Sequence, residues 1–469
     1  MTSRISSLIN REPVTLAETA TVRDAALVMG EERVSSLLIT ESDGGAVIGM
    51  VTETDLRERV LAAGLSYERP VAEIMSGNLP AIDARRHVFE AVPQMLRQQC
   101  EHLAVVRDGE LLGVVGLADL ARYEFGQRPL VVDSIFRQET VEDLALLHNE
   151  VRASFLRMVD EGARSEVIGG AMAWIGRSFK QRLLKLGEEK LGPPPVPYCF
   201  IALGSMARDE QSIVTDQDNA IILSDRFDHA EHDAYFVSLA EWVCDGLAAC
   251  GYSYCTGGIM ATNREWRQPL NVWLGYFSEW IENPAARARV NSRMFFDLDG
   301  VWGNTELSDQ LNAVVRRKAR ESSRFVLGMA RDALGQTPGP DLFRRIAKKG
   351  HGERSKPIDI KRQGTTAFSD LIRVYAMAIG SGSRNSFARL QDVIAAEIVP
   401  TALGHEVRDA LELMSTVRIR HQARAIAEGR QPDNYIDLER LSNFERQSLK
   451  EAFRILSNAH NALGTRYSL

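Results

Sequence analysis

The chain of 469 residues is short of several features that would narrow its role at once. It has no run of about 18 consecutive apolar residues, and its first residues, MTSRISSLINREPVTL, lack the apolar stretch of a secretory signal, so a cytoplasmic protein without membrane contact is expected. Cysteine is scarce: Cys100, Cys199, Cys244, Cys250 and Cys255 show no CxxC spacing, which excludes a disulfide framework and a zinc knuckle and leaves reduced, mostly buried thiols. An excess of positive charge is missing too. With 56 Lys and Arg against 63 Asp and Glu the formal charge is −7, which argues against bulk binding to nucleic acid. Compositional bias is equally absent: 45% apolar and 25% charged residues, with 35 Gly and 16 Pro, exclude collagen-like or disordered chains. At roughly 100 to 200 residues per domain, about three domains are expected.

A repeat occupies the first 125 residues. Ile5 to Ile9 match Val71 to Met75, and each is followed by a short apolar strand and an amphipathic helix, 21–33 against 88–99. Paired strands follow, SSLLIT and AVIGMVTETDL in one half, HLAVVR and LLGVVGLADL in the other, ending at Asp55 and Asp119, 64 positions apart. A carboxylate at a strand-to-helix junction can accept two hydroxyls, and nearby helix N-termini favour phosphate. This β-α-β-β-α pattern resembles the CBS domain, which occurs in tandem pairs called Bateman modules. The resemblance implies an adenosine-nucleotide cleft for AMP, ADP or ATP between the halves, with Thr52 and Asp55 in one half-site and Asp119 in the other, and pairing into a homodimer. Gly116 stands where the first half has Thr52, so the second half-site lacks a hydroxyl. A purely structural, dimerising pair is the alternative.

Residues 126–192 change character. Apolar residues at Val141, Leu144, Leu147, Val151, Phe155 and Met158, and again from Val167 to Leu191, have helical spacing and predict two long helices forming a linker. Gly192 and Pro193-Pro194-Pro195 then stop the second helix and stiffen the connection to a new domain.

From Val196 the sequence reads VPYCFIALGSMARDEQSIVTDQDNAIILSD. An apolar strand ends in Gly204-Ser205, a short polar helix follows, and Asp216-Gln217-Asp218 runs into a second apolar strand. In a strand, residues i and i+2 face one side, so Asp216 and Asp218 present two carboxylates to one point and can share Mg²⁺, which prefers oxygen ligands and bridges phosphates. Gly204 permits close backbone approach, and Ser205 with the helix start offers donors to the outer phosphates of a nucleoside triphosphate. The arrangement resembles the nucleotidyltransferase superfamily of DNA polymerase β type. The fuller string Gly-Ser-x-x-Arg-x-Glu-x-x-x-x-Thr-Asp-Gln-Asp, filled by Gly204, Ser205, Arg208, Glu210, Thr215, Asp216, Gln217 and Asp218, is similar to the nucleotidyltransferases related to the protein-PII uridylyltransferases and glutamine-synthetase adenylyltransferases. That resemblance implies metal ligation by Asp216 and Asp218, phosphate contact by Ser205 and Arg208, and Glu210 orienting Arg208.

Two more segments resemble blocks of the same family. One is Cys255-Thr256-Gly257-Gly258-Ile259-Met260-Ala261-Thr262-Asn263 with Trp266, and the other is Lys356 to Gly364. In the second block Thr365 replaces a glycine, and Lys361 and Arg362 are read either as phosphate contacts or as a solvated basic turn. A third carboxylate is expected on a later strand. Asp297, in the apolar stretch Arg293-Met294-Phe295-Phe296-Asp297, is the candidate, with Asp299 on its face; capping of the next turn is the other reading. Asp228 to Asp233 reads as a solvated helix start, and the tryptophans, Trp242, Trp273 and Trp280 among them, read as core. Arg344-Arg345 and Lys348-Lys349 form a basic stretch suited to phosphate or an acidic partner.

From Leu307 onward helical spacing dominates, over 311–328, 368–379, 387–398, 406–428 and 443–463. Arg418, His421 and Gln422 share one helical face, turned either to the nucleotide cleft or to a packing partner. The expected architecture is α+β and multidomain: a tandem CBS α/β module over 1–125, a helical linker over 126–192, a polymerase-β-type nucleotidyltransferase core with a mixed sheet over 193–305, and an all-α substrate-binding domain over 306–469. The expected activity moves NMP from an NTP to a protein or small-molecule hydroxyl with Mg²⁺, under adenosine-nucleotide control. The alternative is a non-catalytic nucleotide-sensing protein that keeps the transferase fold as a binding module.

Overall fold

The structure is a computed structural model that describes all residues except 1–3, 10–11, 33, 43–44, 78, 87–90, 92–93, 96–99, 117–118, 121–130, 284–291 and 348–355. The chain divides into two compact units, 1–130 and 131–469.

The first unit contains the repeat twice over. In its first half β1 (Thr15–Ala17) runs parallel to β2 (Ser36–Thr40) after the helix α1 (Val22–Glu32), and β3 (Val47–Thr52) returns antiparallel to β2. The second half repeats the ladder with β4 (Ala81–Asp83), β5 (His102–Arg107) and β6 (Glu110–Gly116). Alternation explains both cores: Leu37, Ile39 and Val51 pack with Val22, Ala25 and Met29 in one half, while Leu103, Val105 and Val115 pack with Ile82 in the other. Most of the expected second helix, 88–99, lies outside the described residues, as does the basic pair Lys348-Lys349.

The second unit opens with α2 (Val131–Arg137), α3 (Val141–Leu146), α4 (His148–Asp160) and α5 (Ser165–Leu191). These are not a linker. Ile168, Met172, Ile175, Phe179 and Leu183 bury α5 deeply, and Trp242 Nε1 donates to Leu183 O at 3.1 Å. A helix buried around most of its circumference is a core element, which a two-faced helical pattern concealed.

The central sheet has the order β10-β7-β8-β9, built from β7 (Tyr198–Leu203), β8 (Asn219–Leu223), β9 (Arg267–Pro269) and β10 (Leu298–Gly303). The pairs β10/β7 and β7/β8 are antiparallel and β8/β9 is parallel. Between strands lie the one-turn α6 (Gly204–Ala207), α7 (His229–Ala249) and α8 (Leu270–Glu282). Every residue of β7 and β8 is buried, as expected for central strands covered on both faces. The stretch before Asp297 is not a strand. Ser292–Phe296 is a 3₁₀ turn that buries the adjacent Phe295 and Phe296 together, whereas strand alternation would have separated them. The Phe295 ring centroid lies 4.5 Å from that of Trp266 at a tilt of 43°, in a cluster that includes Trp273 and Trp280.

The rest is helical: α9 (Glu306–Glu321), α10 (Ser323–Leu334), α11 (Pro340–Ala347), α12 (Thr366–Ile379), α13 (Ser386–Ala395), α14 (Thr401–Ala427) and α15 (Asn443–Tyr467). The helical pattern over 311–328 is interrupted because the Ser322 hydroxyl caps a new helix by accepting from Phe325 N. Nor is this part purely helical. β11 (Ile358–Asp359) pairs antiparallel with β12 (Tyr435–Ile436), and Ile360 N donates to Asn434 O at 3.0 Å, which fixes the turn carrying Lys361.

Candidate active site

Three chain segments meet at one end of the sheet. Leu203 N donates to Asp218 O at 3.1 Å and Gly204 N donates to Asp297 O at 3.0 Å, so the end of β7 is tied to the residues that enter β8 and β10. Gly204 has φ +61°, and a Cβ there would lie 3.5 Å from Asp218 Oδ2. That contact is an ordinary one, so it is the positive φ of the turn that calls for glycine.

Although β8 begins only at Asn219, the alternation expected for residues 216–219 is present in the contacts. Gln217 and Asn219 turn inward: Gln217 Nε2 donates to Cys244 O and Tyr252 O at 2.8 and 3.0 Å, and Asn219 Oδ1 accepts from Ala261 N at 2.8 Å. Asp216 and Asp218 take the other side. One oxygen of each, together with Cys255 Sγ, forms a group whose atoms all lie within 4.8 Å of one another. Asp218 Oδ1 is shut off from solvent and has no hydrogen-bond partner.

Burial, then the charge of Asp216, pushes the Asp218 carboxyl up to about 6. A hydrogen bond from the Cys255 thiol and two cations offset this. Lys361 Nζ lies 3.4 Å from Asp216 Oδ1, and Lys180 Nζ lies 3.5 Å from Asp218 O. Lys180 is fully enclosed on α5, and burial lowers its ammonium to about 8. An orphaned, buried carboxylate oxygen next to a second carboxylate is what a divalent cation would complete, so these residues fit a metal.

Asp297 does not join the pair. Its carboxylate is held by Arg208 Nη1 at 2.6 Å, Arg373 Nη2 at 2.5 Å and Arg389 Nη1 at 2.5 Å, with its side chain fully buried. Burial pushes this carboxyl up, but Arg373, Arg389 and Arg208 together outweigh that and hold it well below the usual carboxylate range. A carboxylate already neutralised by three guanidinium groups has no lone pair to spare for a cation. Asp299 likewise pairs with Arg177 at 2.9 Å and with Arg384.

Arg208 is correspondingly committed. Its Nε donates to Glu210 at 2.9 Å, as expected for an orienting partner, while its Nη1 serves Asp297. Glu210 in turn accepts from Ser386 N at 2.5 Å, so Arg208 and Glu210 fasten the core to α12 and α13. Beside them a cleft is lined by Ser205, Arg208, Glu210, Lys361, Thr366 and Arg418 among others. Arg418 Nε donates to Asn434 Oδ1 at 2.8 Å, Gln422 Nε2 donates to the same atom at 2.9 Å, and Ser212 Oγ donates to Gln422. Burial lowers Arg418 to about 10. Arg418 on α14 thus lines the cleft, Gln422 is buried behind it against Ser212 and Asn434, and His421 pairs with Asp433 at 2.9 Å. Arg362 N donates to Asp359 Oδ1 at 2.9 Å and its residue closes the turn.

Sequence reasoning missed Lys180, Cys255, Arg373 and Arg389 as site residues. Lys180 gave a usable signal, a lysine within an otherwise apolar helical stripe. At the expected solvated helix start, Asp228 Oδ1 caps α7 by accepting from Ala230 N and Glu231 N.

In the first unit an open cleft is lined by Thr52, Asp55, Arg59, Ser76, Glu101 and His102 among others. Asp55 Oδ2 accepts from Thr52 N at 2.9 Å and Thr52 Oγ1 at 2.7 Å, and Asp55 Oδ1 pairs with Arg59 Nε at 3.2 Å. Asp119 repeats part of this arrangement: its Oδ2 accepts from Gly116 N at 2.9 Å, and it does not line the cleft. His102 Nε2 and Ser35 Oγ lie 2.9 Å apart across the two halves.

Comparisons with known proteins agree with this layout. The family described as "Putative nucleotidyltransferase DUF294" matches residues 149–287, and "Putative nucleotidyltransferase substrate binding domain" matches 323–467. The CBS domain family matches 5–62 and 71–126. CBS domain-containing protein YhcV of Bacillus subtilis is 29% identical over 119 residues, which are 25% of this chain and 84% of that protein. CBS domain-containing protein CBSCBSPB2 of Arabidopsis thaliana is 32% identical over 105 residues, 22% of this chain and 19% of that protein. A solved CBS domain protein from Pyrobaculum aerophilum, complexed with AMP, is 32% identical, with 25% of this chain and 89% of that one covered and a TM-score of 0.24. Among the described residues no helix is long and apolar enough to cross a membrane.

Proposed function

We propose that this chain, which joins a CBS pair to a nucleotidyltransferase-family domain and that family's helical substrate-binding domain, transfers a nucleoside monophosphate from an NTP to an acceptor hydroxyl. The observation that carries this reading is the convergence of Asp216 and Asp218, with Asp218 Oδ1 buried and unpartnered, beside a cleft that carries positive charge. Asp216 and Asp218 would hold a divalent cation, Mg²⁺ by the family expectation, which when bound neutralises charge on the attacking and leaving oxygens of an in-line displacement.

The chain's own residues divide the remaining work. Gly204 supplies the positive φ that turns β7 into α6, and Ser205 offers a hydroxyl to the phosphates. Lys361 and Arg418, rather than the engaged Arg208, face the cleft with charge available for the outer phosphates. Arg208 and Glu210 act as positioning residues that fix the walls of the cleft. Low exposure strengthens the Arg208–Glu210 pair in particular. The acceptor is a protein or small-molecule hydroxyl, as in uridylyltransferase-like enzymes, and the CBS pair takes an adenosine nucleotide in the cleft of Thr52, Asp55 and Arg59 and pairs with a second copy.

The test is label transfer. Full-length protein is incubated with divalent cation, each α-labelled NTP and a cell extract, alongside Asp216→Asn. Transfer by the wild type and none by the variant is expected; absence of both labelled product and pyrophosphate under all conditions would refute catalysis. One observation favours a second reading, a nucleotide-binding protein that does no chemistry. Asp297, the expected third carboxylate, is withheld from the site by three arginines. That reading predicts NTP binding dependent on Asp216 but no pyrophosphate.

A further inference from the structure

Next to the carboxylate pair lies a thiol that phosphoryl chemistry leaves without a task. Cys255 is buried on the loop between α7 and β9, followed by the turn Gly257-Gly258, where Gly258 has φ +68°. Its sulfur and one oxygen each of Asp216 and Asp218 are, among the described residues, the one set of three such donors close enough to share an ion. An independent observation points to the same place: Asp218 Oδ1 is enclosed, lacks any hydrogen-bond partner and belongs to one of the three residues. The other buried thiols differ. Cys199 Sγ donates to Phe200 O and Cys244 Sγ donates to Asn219 Oδ1, and neither belongs to such a set of three.

The chemistry of the donor set is informative. Oxygen-only sites suit magnesium, whereas a thiolate among the ligands selects softer ions such as zinc, cobalt or cadmium. Metal–oxygen and metal–sulfur bonds of about 2.0 to 2.3 Å imply ligand–ligand edges of roughly 3.3 to 3.8 Å, so a group spanning no more than 4.8 Å is at most about 1 to 1.5 Å wider than a closed ligand set. Three protein ligands also leave a fourth position open, as catalytic rather than structural sites do.

We propose that Cys255 is the third ligand of the Asp216–Asp218 cation site and biases that site toward a thiophilic divalent cation over magnesium. The inference rests on the carboxylate pair being the cation site of the transferase reading and sharpens which ion it takes. Binding releases the thiol proton to solvent and leaves a thiolate–metal bond. Lys361 Nζ, 3.4 Å from Asp216, is the cation that the metal would displace.

The experiment titrates reduced, full-length protein with Co²⁺ and follows the near-ultraviolet thiolate-to-metal charge-transfer absorption, with Cys255→Ser and Asp216→Asn in parallel and Mg²⁺ binding measured by calorimetry. Expected is a saturable charge-transfer band in the wild type that is absent in Cys255→Ser. Loss of even an outer partner of a metal ligand costs about 10- to 100-fold in affinity, so Co²⁺ affinity should fall at least about tenfold in that variant, with Mg²⁺ affinity preserved. A band that persists in Cys255→Ser, or Co²⁺ affinity that does not change, overturns the thiol ligand and leaves the transferase reading standing. No divalent cation bound by the wild type overturns both. A second measurement needs no variant: Zn²⁺ should protect Cys255 from alkylation by iodoacetamide, read by peptide mass spectrometry, and alkylation at an unchanged rate counts against the proposal.

Discussion

Replacing Asp297 by Asn separates two roles for that residue. The carboxylate is the shared negative centre for Arg208, Arg373 and Arg389, and its side chain has no exposure. Asn keeps the shape, but it removes the charge and turns an amide N–H toward a guanidinium. Arg208 would keep Glu210 at 2.9 Å and Arg373 would keep Asp370 at 2.5 Å, but Arg389 would keep only Ser383 O at 2.9 Å. Stranding a buried charge in this way costs about 3 to 5 kcal/mol. The assay is urea unfolding followed by tryptophan fluorescence, which reports the second unit alone because Trp174, Trp242, Trp266, Trp273, Trp280 and Trp302 all lie in it. The double variant Asp297→Asn/Arg389→Met should recover part of the loss, since the stranded cation goes too. Because the folded carboxyl is held below its ordinary value, its contribution is complete above about pH 4 and is lost only as pH falls through the depressed value, so the wild type–variant difference should be constant from about pH 5 to 8. A loss under about 1 kcal/mol accompanied by loss of divalent-cation binding would refute the argument and restore Asp297 as a metal ligand.

Two further outcomes can be checked directly. Asp218 is raised to about 6, so a cation must displace its proton below that pH; Mg²⁺ affinity by calorimetry, which does not depend on the Cys255 thiol, should be flat above about pH 6 and fall toward tenfold per unit below it, and an affinity independent of pH would contradict this. The sign for stability is the reverse of that for Asp297: folding favours protonated Asp218, so the metal-free fold weakens as pH rises from about 4 through 6, and the cation should raise the melting temperature most above pH 6. In the first unit, Asp55→Ala removes the partner of Thr52 and Arg59, should cost about 1 kcal/mol as a lost cap, and should abolish ATP or AMP binding measured by calorimetry; unchanged affinity would remove Asp55 from the half-site.

The parts of the site that were legible in the sequence are those whose chemistry is local. Gly204, Ser205, Asp216 and Asp218 lie within fifteen consecutive residues, and two-residue alternation alone put the carboxylates together. The repeat was readable for the same reason, since each half carries its own strand pattern. What stayed hidden depends on distant partners. The fate of Asp297 is decided by Arg373 and Arg389, which come from α12 and α13, and no spacing near Asp297 announces them. Likewise the apolar stretch before Asp297 has strand-like composition, but the aromatic cluster around Trp266 favours a turn that buries two neighbouring phenylalanines at once. The helices of 131–192 read as a linker because periodicity describes a helix without saying how many of its sides are covered.

The Lys361–Asp216 pair has a consequence for how the protein waits between encounters. Both side chains are 38% exposed, so the pair contributes no more than about 1 kcal/mol, little enough for an arriving cation to exchange with the ammonium. Until then the lysine acts as a placeholder that keeps neighbouring carboxylates from repelling each other. Once displaced, it is a free positive charge on the helical half, beside the Ser205 hydroxyl of the core and ready for the phosphates that accompany the metal. One side chain thus serves the empty and the loaded states in turn.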